Sequence, residues 1–390
     1  MTTYNKFFIK KKIMKKKIDF LIVGAGFYGC VLAERIANIL KKNVLIIDKR
    51  DHIGGNCYSE IEPNTKIEYH KYGTHIFHTS NVRVWDYINS FTKFNNYKHQ
   101  VLSNYLGKIY QMPINLETIN SFYKKNFRPY EAEQFIKKTS KKFTKNRYSN
   151  FEEKAKSQIG EDLYNAFIRE YTMKQWGENP KDLPSNIFNR LPLRFNYNED
   201  YFKNCTWQGI PINGYTKLFN NLIENKRISF EIMNEYKIGQ SIIPKYLTIY
   251  TGPLDKLFNY KFGKLAWRSL IFKNRIVKKK DFQGTSVINY PQLKYKFTRI
   301  HEPKHLHPEK NYKSNSSLII EEYSNNDYKE PYYPINNEKN RSIHRQYKLE
   351  TKNLKNFIIG GRLADYSYYD MDMTISAALV KFDQIYKNYI

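Results

Sequence analysis

The sequence predicts an α/β fold whose parallel-sheet domain is assembled from both ends of the chain. A helical insertion and an antiparallel-sheet unit lie between. Three observations carry this reading. A strand, a glycine-rich turn, a helix and a second strand follow one another from Phe20 to Asp48. A strand, a Gly-Gly turn and a helix recur near the C-terminus. Between them the composition turns first Lys- and Glu-rich, then β-branched and aromatic.

Each element follows from local chemistry. Phe20-Leu21-Ile22-Val23 is an apolar run closed by Gly24, the pattern of a parallel strand buried on both faces. Cys30 to Leu40 places Val31, Ala33, Ile36 and Leu40 near one helical face. Val44-Leu45-Ile46-Ile47 is the second strand and ends in Asp48. Helical periodicity dominates from about 115 to 175, in Tyr130 to Thr139 and Glu161 to Tyr171. From about 245 to 350 short runs broken by Pro, Gly and Asn predict antiparallel strands, among them Tyr246 to Thr251, Ser286 to Tyr290 and Leu318 to Tyr323. Phe357-Ile358-Ile359, the turn Gly360-Gly361-Arg362 and a helix from Met373 to Tyr386 return to the first style.

Composition bounds the function. The chain has 390 residues, enough for roughly two or three packed units. Hydrophobic residues at 41% suffice for a large core. The 65 Lys and Arg against 37 Asp and Glu give +28, which favours an anionic partner. One basic cluster stands out, Lys6, Lys10, Lys11, Lys12, Lys15, Lys16 and Lys17, and the rest reads as solvated surface, so no nucleic-acid site is expected. Residues 1–17 read as a disordered extension, with Met14 a second plausible start. Cys30, Cys57 and Cys205 are odd in number and widely spaced, which indicates neither a disulfide framework nor a zinc site and fits a cytoplasmic protein. The apolar stretch Phe20 to Ala33 is too short and glycine-rich to span a bilayer.

The glycines carry the first chemistry. In the GxGxxG of Gly24, Gly26 and Gly29, the first permits a tight turn, the second a close backbone approach to a pyrophosphate, the third packing of helix on sheet. With Phe27 they open a helix whose positive N-terminus meets phosphate. Asp48, followed by Lys49, lies where a ribose hydroxyl would be held, which favours FAD or NAD over NADP. Gly54, Gly55 and Asn56 supply a second approach to the dinucleotide. This extension resembles the FAD pattern of the amine-oxidase-like flavoproteins, and Gly360-Gly361-Arg362 resembles their second cofactor contact.

The chain as a whole resembles the bacterial UDP-galactopyranose mutases from about Ile18 to about Val380. The segments are HKYGTHIFHT (70–79), GEDLYNAFIREYTMKQWG (160–177), RLPLRF (190–195), GIPINGYTKL (209–218), YTGPLDKLF (250–258), FQGTSVINY (282–290), EPYYPI (330–335) and GGRLADYSYYDM (360–371). The resemblance implies a discontinuous FAD-binding domain over 18–80, 205–245 and 355–390. It implies a helical substrate domain over 100–200 with a mobile lid near 179–200, and an antiparallel-sheet domain over 81–99 and 246–354. The implied substrate is UDP-galactose. Arg190 and Arg299 would clamp its diphosphate, since forked guanidinium donors suit phosphate oxygens. Phe167 and Tyr171 would wall the uracil, with His99 nearby. Thr172, Trp176, Tyr201, Asn289, Tyr333 and Tyr368 would complete the substrate pocket. His75, Ile76 and His78 would lie along the flavin, His78 near the sugar. Arg362 from the turn, with Tyr369 and with Asp370, Met371 and Thr374 at the start of the last helix, would hold the flavin. The two histidines lack Cys or acidic company, and no metal is expected.

The implied reaction is a non-redox isomerisation that needs reduced FAD. N5 of the flavin attacks the anomeric carbon and expels UDP, the sugar opens as an iminium, and it recloses as a five-membered ring before UDP returns. Arg190, Arg299 and His78 are the residues expected to serve it. A homodimer, and an external reductant such as NADPH or reduced flavin, are the assembly and electron source this reading admits. The pattern departs from the family at His99 for Asn, Thr74 for Ala and Asp372 for His. Two rival readings are a mutase for UDP-N-acetylgalactosamine or a dTDP-sugar, and an amine-oxidase-like oxidoreductase, which would give no reason for the two arginines.

Overall fold

The computed structural model describes residues 17–190, 193–325 and 330–389. Nearly all of the basic extension 1–17 therefore lies outside the described residues.

A five-stranded parallel sheet organises one half of the molecule. Its order is Phe357–Ile359, Leu247–Tyr250, Phe20–Val23, Val44–Asp48 and Ile228–Ile232. Side chains alternate between faces along a strand, so each strand feeds two cores. Phe20, Ile22, Val44 and Ile46 pack on one face with the helix Phe27–Asn38 and with Ile375, Ala378 and Leu379 of the last helix, Met371–Tyr389. Leu21, Val23, Leu45 and Ile47 pack on the other with Leu254, Trp267 and Tyr347. Both chain ends thus build one Rossmann-like unit, as the two strand–glycine–helix patterns require.

The second sheet has seven strands among the described residues. Its order is Tyr333–Pro334, Trp267–Val277, Ser317–Asn325, Arg299–His301, Val287–Asn289, Val101–Tyr105 and Lys108–Met112. Every pairing is antiparallel except that of Val287–Asn289 with Val101–Tyr105, which is parallel. The helices Leu116–Tyr123, Pro129–Ser140 and Phe151–Leu163 form a separate apolar cluster. Asn115 and Asn150 cap two of them, each accepting the amide of the third residue on, which satisfies an orphan helix donor. A π-helical turn, Tyr164–Arg169, then leads into Glu170–Trp176.

Three boundaries are corrected. The run 246–251, expected in the antiparallel unit, supplies the central strand Leu247–Tyr250 of the parallel sheet, paired in parallel with both neighbours. Its Ile249 and Tyr250 are buried on opposite faces, which only a sheet covered on both sides requires. Val101–Tyr105 and Lys108–Met112 lie in the mixed sheet, not the helical unit, which begins near Leu116. The helix Val82–Asn89 buries Val84 and Ile88 in the core of the parallel-sheet unit, not the antiparallel one.

Candidate active site

A cleft of about 1730 Å³ lies where the parallel sheet, the mixed sheet and the helical unit converge. One flank is made of backbone. Gly24 has φ +107°, and a Cβ there would lie 2.0 Å from Thr251 Oγ1, so only glycine fits. A Cβ on Gly29 would lie 2.0 Å from the Gly24 carbonyl oxygen. Gly29 thus seats the helix against the turn and does not itself line the cleft. A Cβ on Gly26 would meet nothing within 4 Å, because it would project into open cleft. Gly26 caps the helix Phe27–Asn38 with no side-chain bond, leaving its first amides available to an anion. The Gly54 amide donates to the Ala25 carbonyl at 2.8 Å, which brings Gly55 against Gly26.

Asp48 braces this cradle. Its Oδ2 accepts the Ala25 amide at 2.7 Å and its Oδ1 accepts the Arg50 amide at 2.8 Å. A carboxylate offers about four lone-pair positions, so it retains capacity for a ribose hydroxyl. Lys49, Asn56, His75, Ile76, His78, Arg362, Tyr369, Asp370, Met371 and Thr374 continue the same cleft. The His75 amide donates to His70 Nδ1 at 3.0 Å, and its own Nδ1 lies 2.6 Å from the Gly73 carbonyl. Asp372, at the start of the last helix, accepts the Thr79 hydroxyl at 3.0 Å.

The opposite wall is made of side chains. Arg299 Nε lies 3.4 Å from Glu322 Oε1, and its Nη2 donates to the Tyr171 hydroxyl. Burial opposes charge on Arg299, but Glu322 and Tyr171 outweigh it and hold the guanidinium protonated. Burial likewise pushes the Glu322 carboxyl up, and Arg299 with His301 brings it down to about 2. Tyr333 and Tyr368 stack with centroids 5.7 Å apart, with Arg362 over Tyr333. Trp176, His99 and Tyr201 complete this wall. His78 stacks on Phe202 at 3.7 Å.

Desolvation favours the neutral form of three cleft histidines, His75, His78 and His99. Burial lowers His75 to about 4 and His99 to about 3. It also lowers His78, against the opposing pull of Asp370 and Asp372. Positive charge facing an anion therefore comes from arginine and lysine.

Some expected site residues stand elsewhere. Phe167 is 4% exposed, and its ring packs among Tyr105, Tyr110 and Phe122 rather than on the cleft. Thr172 is buried behind the wall on the helix that presents Tyr171 and Trp176. Asn289 is the cross-strand partner of Arg299, and its Oδ1 is buried with no hydrogen-bond partner among the described residues. Arg190 ends the 3-10 segment Ser185–Arg190, and its side chain lies outside the described residues.

Other residues escaped the sequence reading. Arg50 Nη2 donates to Glu330 at 2.6 Å and to Asn56 Oδ1 at 2.9 Å across the cleft floor. The partners Arg50 and Glu330 are 280 positions apart, so no local pattern announces them. Lys174 donates to the carbonyls of Tyr290, Gln292, Tyr295 and Phe297, tying the Tyr171 helix to the mixed sheet. Burial lowers its ammonium to about 8. Glu68, His70 and His307 bring one ligand atom each within 4.8 Å of one another. Because His70 Nδ1 accepts the His75 amide, its ring proton sits on Nε2, which is buried with no hydrogen-bond partner among the described residues. Lys310 also lies 2.5 Å from Glu68 Oε2, so Glu68 is already ion-paired within this cluster.

Comparison with known proteins agrees with this architecture. Residues 166–368 match the family model of UDP-galactopyranose mutase, and residues 22–91 match that of an NAD(P)-binding Rossmann-like domain. The chain is 39% identical over 368 residues to a dTDP-fucopyranose mutase of Escherichia coli, covering 92% of this chain and 96% of that protein. It is 39% identical to a probable UDP-galactopyranose mutase of Klebsiella pneumoniae, covering 94% of each. It is 35% identical to the UDP-galactopyranose mutase of Mycoplasma genitalium, again covering 94% of each. The solved structure of a reduced UDP-galactopyranose mutase shares the fold, with a TM-score of 0.76 at 15% identity over 96% of this chain and 94% of the other. With matches of this extent along nearly the whole chain, the protein belongs to the UDP-galactopyranose mutase family and is an isomerase.

Proposed function

We propose that this enzyme interconverts UDP-galactopyranose and UDP-galactofuranose, with reduced FAD as its working cofactor. The observation that carries the reading is one cleft joining a glycine cradle to Arg299. The cradle suits a dinucleotide. Gly26 leaves open the space a phosphate needs, and the uncapped helix start supplies its donors. Gly24, Phe27, Asp48, Lys49, Gly54, Gly55 and Asn56 would hold the adenosine diphosphate half. His75, Ile76, His78, Arg362, Tyr369, Asp370, Met371 and Thr374 would hold the flavin. When bound and reduced, the flavin supplies N5 as the nucleophile toward the anomeric carbon. The protein then has to keep the departing UDP close for recapture, which is positioning and electrostatics. Arg299, prepaired with Glu322 and Tyr171, takes that role with Arg190. Tyr171, Trp176, His99, Tyr201, Tyr333 and Tyr368 shape the pocket for base and sugar. Asp182, Leu183, Pro184, Asn186 and Ile187 line the cleft, and residues 179–200 would act as the lid that carries Arg190.

The test is to incubate the protein with UDP-galactofuranose, with and without dithionite, and to follow UDP-galactopyranose by chromatography. Conversion only with bleached flavin is expected. Conversion that ignores the flavin's redox state would refute the mechanism. A second reading, a mutase for dTDP-fucopyranose, is favoured by the equal 39% identity to relatives of the two names. Parallel assays of both sugar nucleotides decide between them by kcat/KM.

A further inference from the structure

The helix Glu170–Trp176 presents only part of its surface to the cleft. Tyr171, Gln175 and Trp176 line it, whereas Glu170 and Lys174 do not. Glu170 and Lys174 are four residues apart and share the adjacent stripe of the helix. That stripe holds the backbone of the loop 290–297, which joins the strands Val287–Asn289 and Arg299–His301. Glu170 Oε2 accepts the Leu293 amide at 2.7 Å. Lys174 Nζ donates to the carbonyls of Gln292, Tyr295 and Phe297 at 3.1, 3.1 and 2.8 Å, and to that of Tyr290. An ammonium has three hydrogens, so four carbonyls share them. The rings of Tyr290, Tyr295 and Phe297 pack on one another with centroids 5.0, 5.0 and 5.5 Å apart, which stiffens the same loop.

A second cation works in the reverse direction, from sheet to helix. Arg268, on the strand Trp267–Val277, is buried. Its Nε donates to the Gln175 carbonyl at 2.9 Å and its Nη2 to the Lys174 carbonyl at 3.3 Å. The Ser324 hydroxyl also donates to the Gln175 carbonyl, at 3.1 Å. These carbonyls belong to the last turn of the helix, where no amide of the helix itself can reach them and where a cation is favoured by the helix dipole. Gly177 closes the helix with φ +69°, and a Cβ there would lie 2.7 Å from Arg268 Nη1. Glycine therefore suits both the left-handed backbone and the close guanidinium.

We propose that Lys174 and Arg268 are positioning residues for the nucleotide: they fix the helix carrying Tyr171 and Trp176 against the strand carrying Arg299, and so set the affinity for a nucleoside diphosphate without touching it. This rests on the reading of that wall as the nucleotide site. Tyr171 stands three residues before Lys174, and its hydroxyl accepts from Arg299 Nη2. Phe297, whose carbonyl Lys174 holds, stands two residues before Arg299. One ammonium thus anchors both ends of the Tyr171–Arg299 contact. A wall that is already fixed spares the ligand the cost of ordering it on binding. Burial lowers the Lys174 ammonium to about 8, against the pull of Glu170, which leaves it mostly charged near neutral pH.

Lys174→Met keeps most of the stem and removes the ammonium, while Lys174→Ala opens the space it fills. Calorimetric titration with UDP, which needs no turnover, should show Kd raised about tenfold in Lys174→Met, the scale of losing one charge-assisted hydrogen bond. Stoichiometry and flavin absorbance should stay near wild type. A merely damaged fold would lower the number of binding sites and leave the affinity of the rest. In turnover KM should rise by the same factor with kcat nearly unchanged, as when binding shared by ground and transition states is lost. Arg268→Met should raise Kd in the same way. Ethylammonium should return the UDP affinity of Lys174→Ala toward wild type, and tetramethylammonium, of equal charge but with no N–H, should not. Wild-type affinity in Lys174→Met, or an equal effect of the two cations, would overturn the proposal. A wild-type protein that binds neither UDP nor dTDP would instead remove the nucleotide reading of this wall, and the role of both cations with it.

Discussion

The two flanks of the cleft present positive charge by opposite means. On one, Gly24, Gly26 and Gly55 expose backbone, and the donors are amides at a helix start. On the other, Arg299 reaches its position because Glu322 and Tyr171 hold it there. A backbone site needs only the absence of side chains, so it is compact in sequence and rigid. A side-chain site needs partners, and these come from strands and helices far apart in the chain. The first flank should therefore fail in cofactor retention, the second in turnover with the cofactor still bound.

Gly29→Ala should have the largest effect. Its Cβ would fall 2.0 Å from a backbone oxygen that cannot move without opening the first turn. We expect purified protein without flavin absorbance and without activity. Full flavin content in this variant would break the comparison on its first side.

Arg299→Ala comes next. Turnover should drop at least about a hundredfold, as for loss of a transition-state electrostatic contact. Flavin absorbance should stay near wild type. The variant also leaves Glu322 buried without its cation, so its melting temperature should fall. Loss of flavin here would mean that the two flanks are not separable.

The comparison also explains what was legible in the sequence. Phe20–Val23 and Phe357–Ile359 are apolar runs closed at once by glycine, and Val44–Ile47 is an apolar run closed by Asp48, so the strands and cradle read directly. Leu247–Tyr250 is less uniformly apolar, with Thr248 inside it, and Gly252 and Pro253 follow it rather than a strand–glycine–helix pattern. Nothing local says which strands flank it, and it was assigned to the wrong sheet. Phe167 and Tyr171 are four residues apart, yet the π-helical turn Tyr164–Arg169 intervenes, and one ring faces the core while the other faces the cleft. Arg50 with Glu330, and His301 with Thr74, are pairs separated by more than two hundred positions. Only the closed fold brings them together.

Acid sensitivity sharpens the comparison at the side-chain flank. Glu322 titrates at about 2 in the folded protein, below its ordinary 4.5. A depressed carboxyl stabilises the fold above its unfolded pKa, and that contribution is lost as pH falls toward the folded value. Melting temperature should therefore fall between about pH 4.5 and 2, and Glu322→Gln should flatten part of that fall. An unchanged slope would mean that Glu322 does not couple to folding.

Deleting residues 1–13 should have the smallest effect. The chain's first described ties lie downstream of the cut. The Lys17 carbonyl accepts from the Asn43 side chain at 3.4 Å, the Ile18 carbonyl accepts the Lys245 amide at 2.9 Å, and Asp19 bonds the Asn43 amide at 2.9 Å. Those bonds set the entry into the strand Phe20–Val23, and the deletion spares all of them. The removed segment carries Lys6, Lys10, Lys11 and Lys12, so the net charge falls by four from +28 while the cleft cations Arg50, Arg299 and Arg362 remain. If anion recognition resides in the cleft, kcat/KM for the sugar nucleotide and its salt dependence should match those of the full chain. If the extension instead gathers the anionic substrate from solution, kcat/KM should fall at low ionic strength and the difference should vanish as salt screens it.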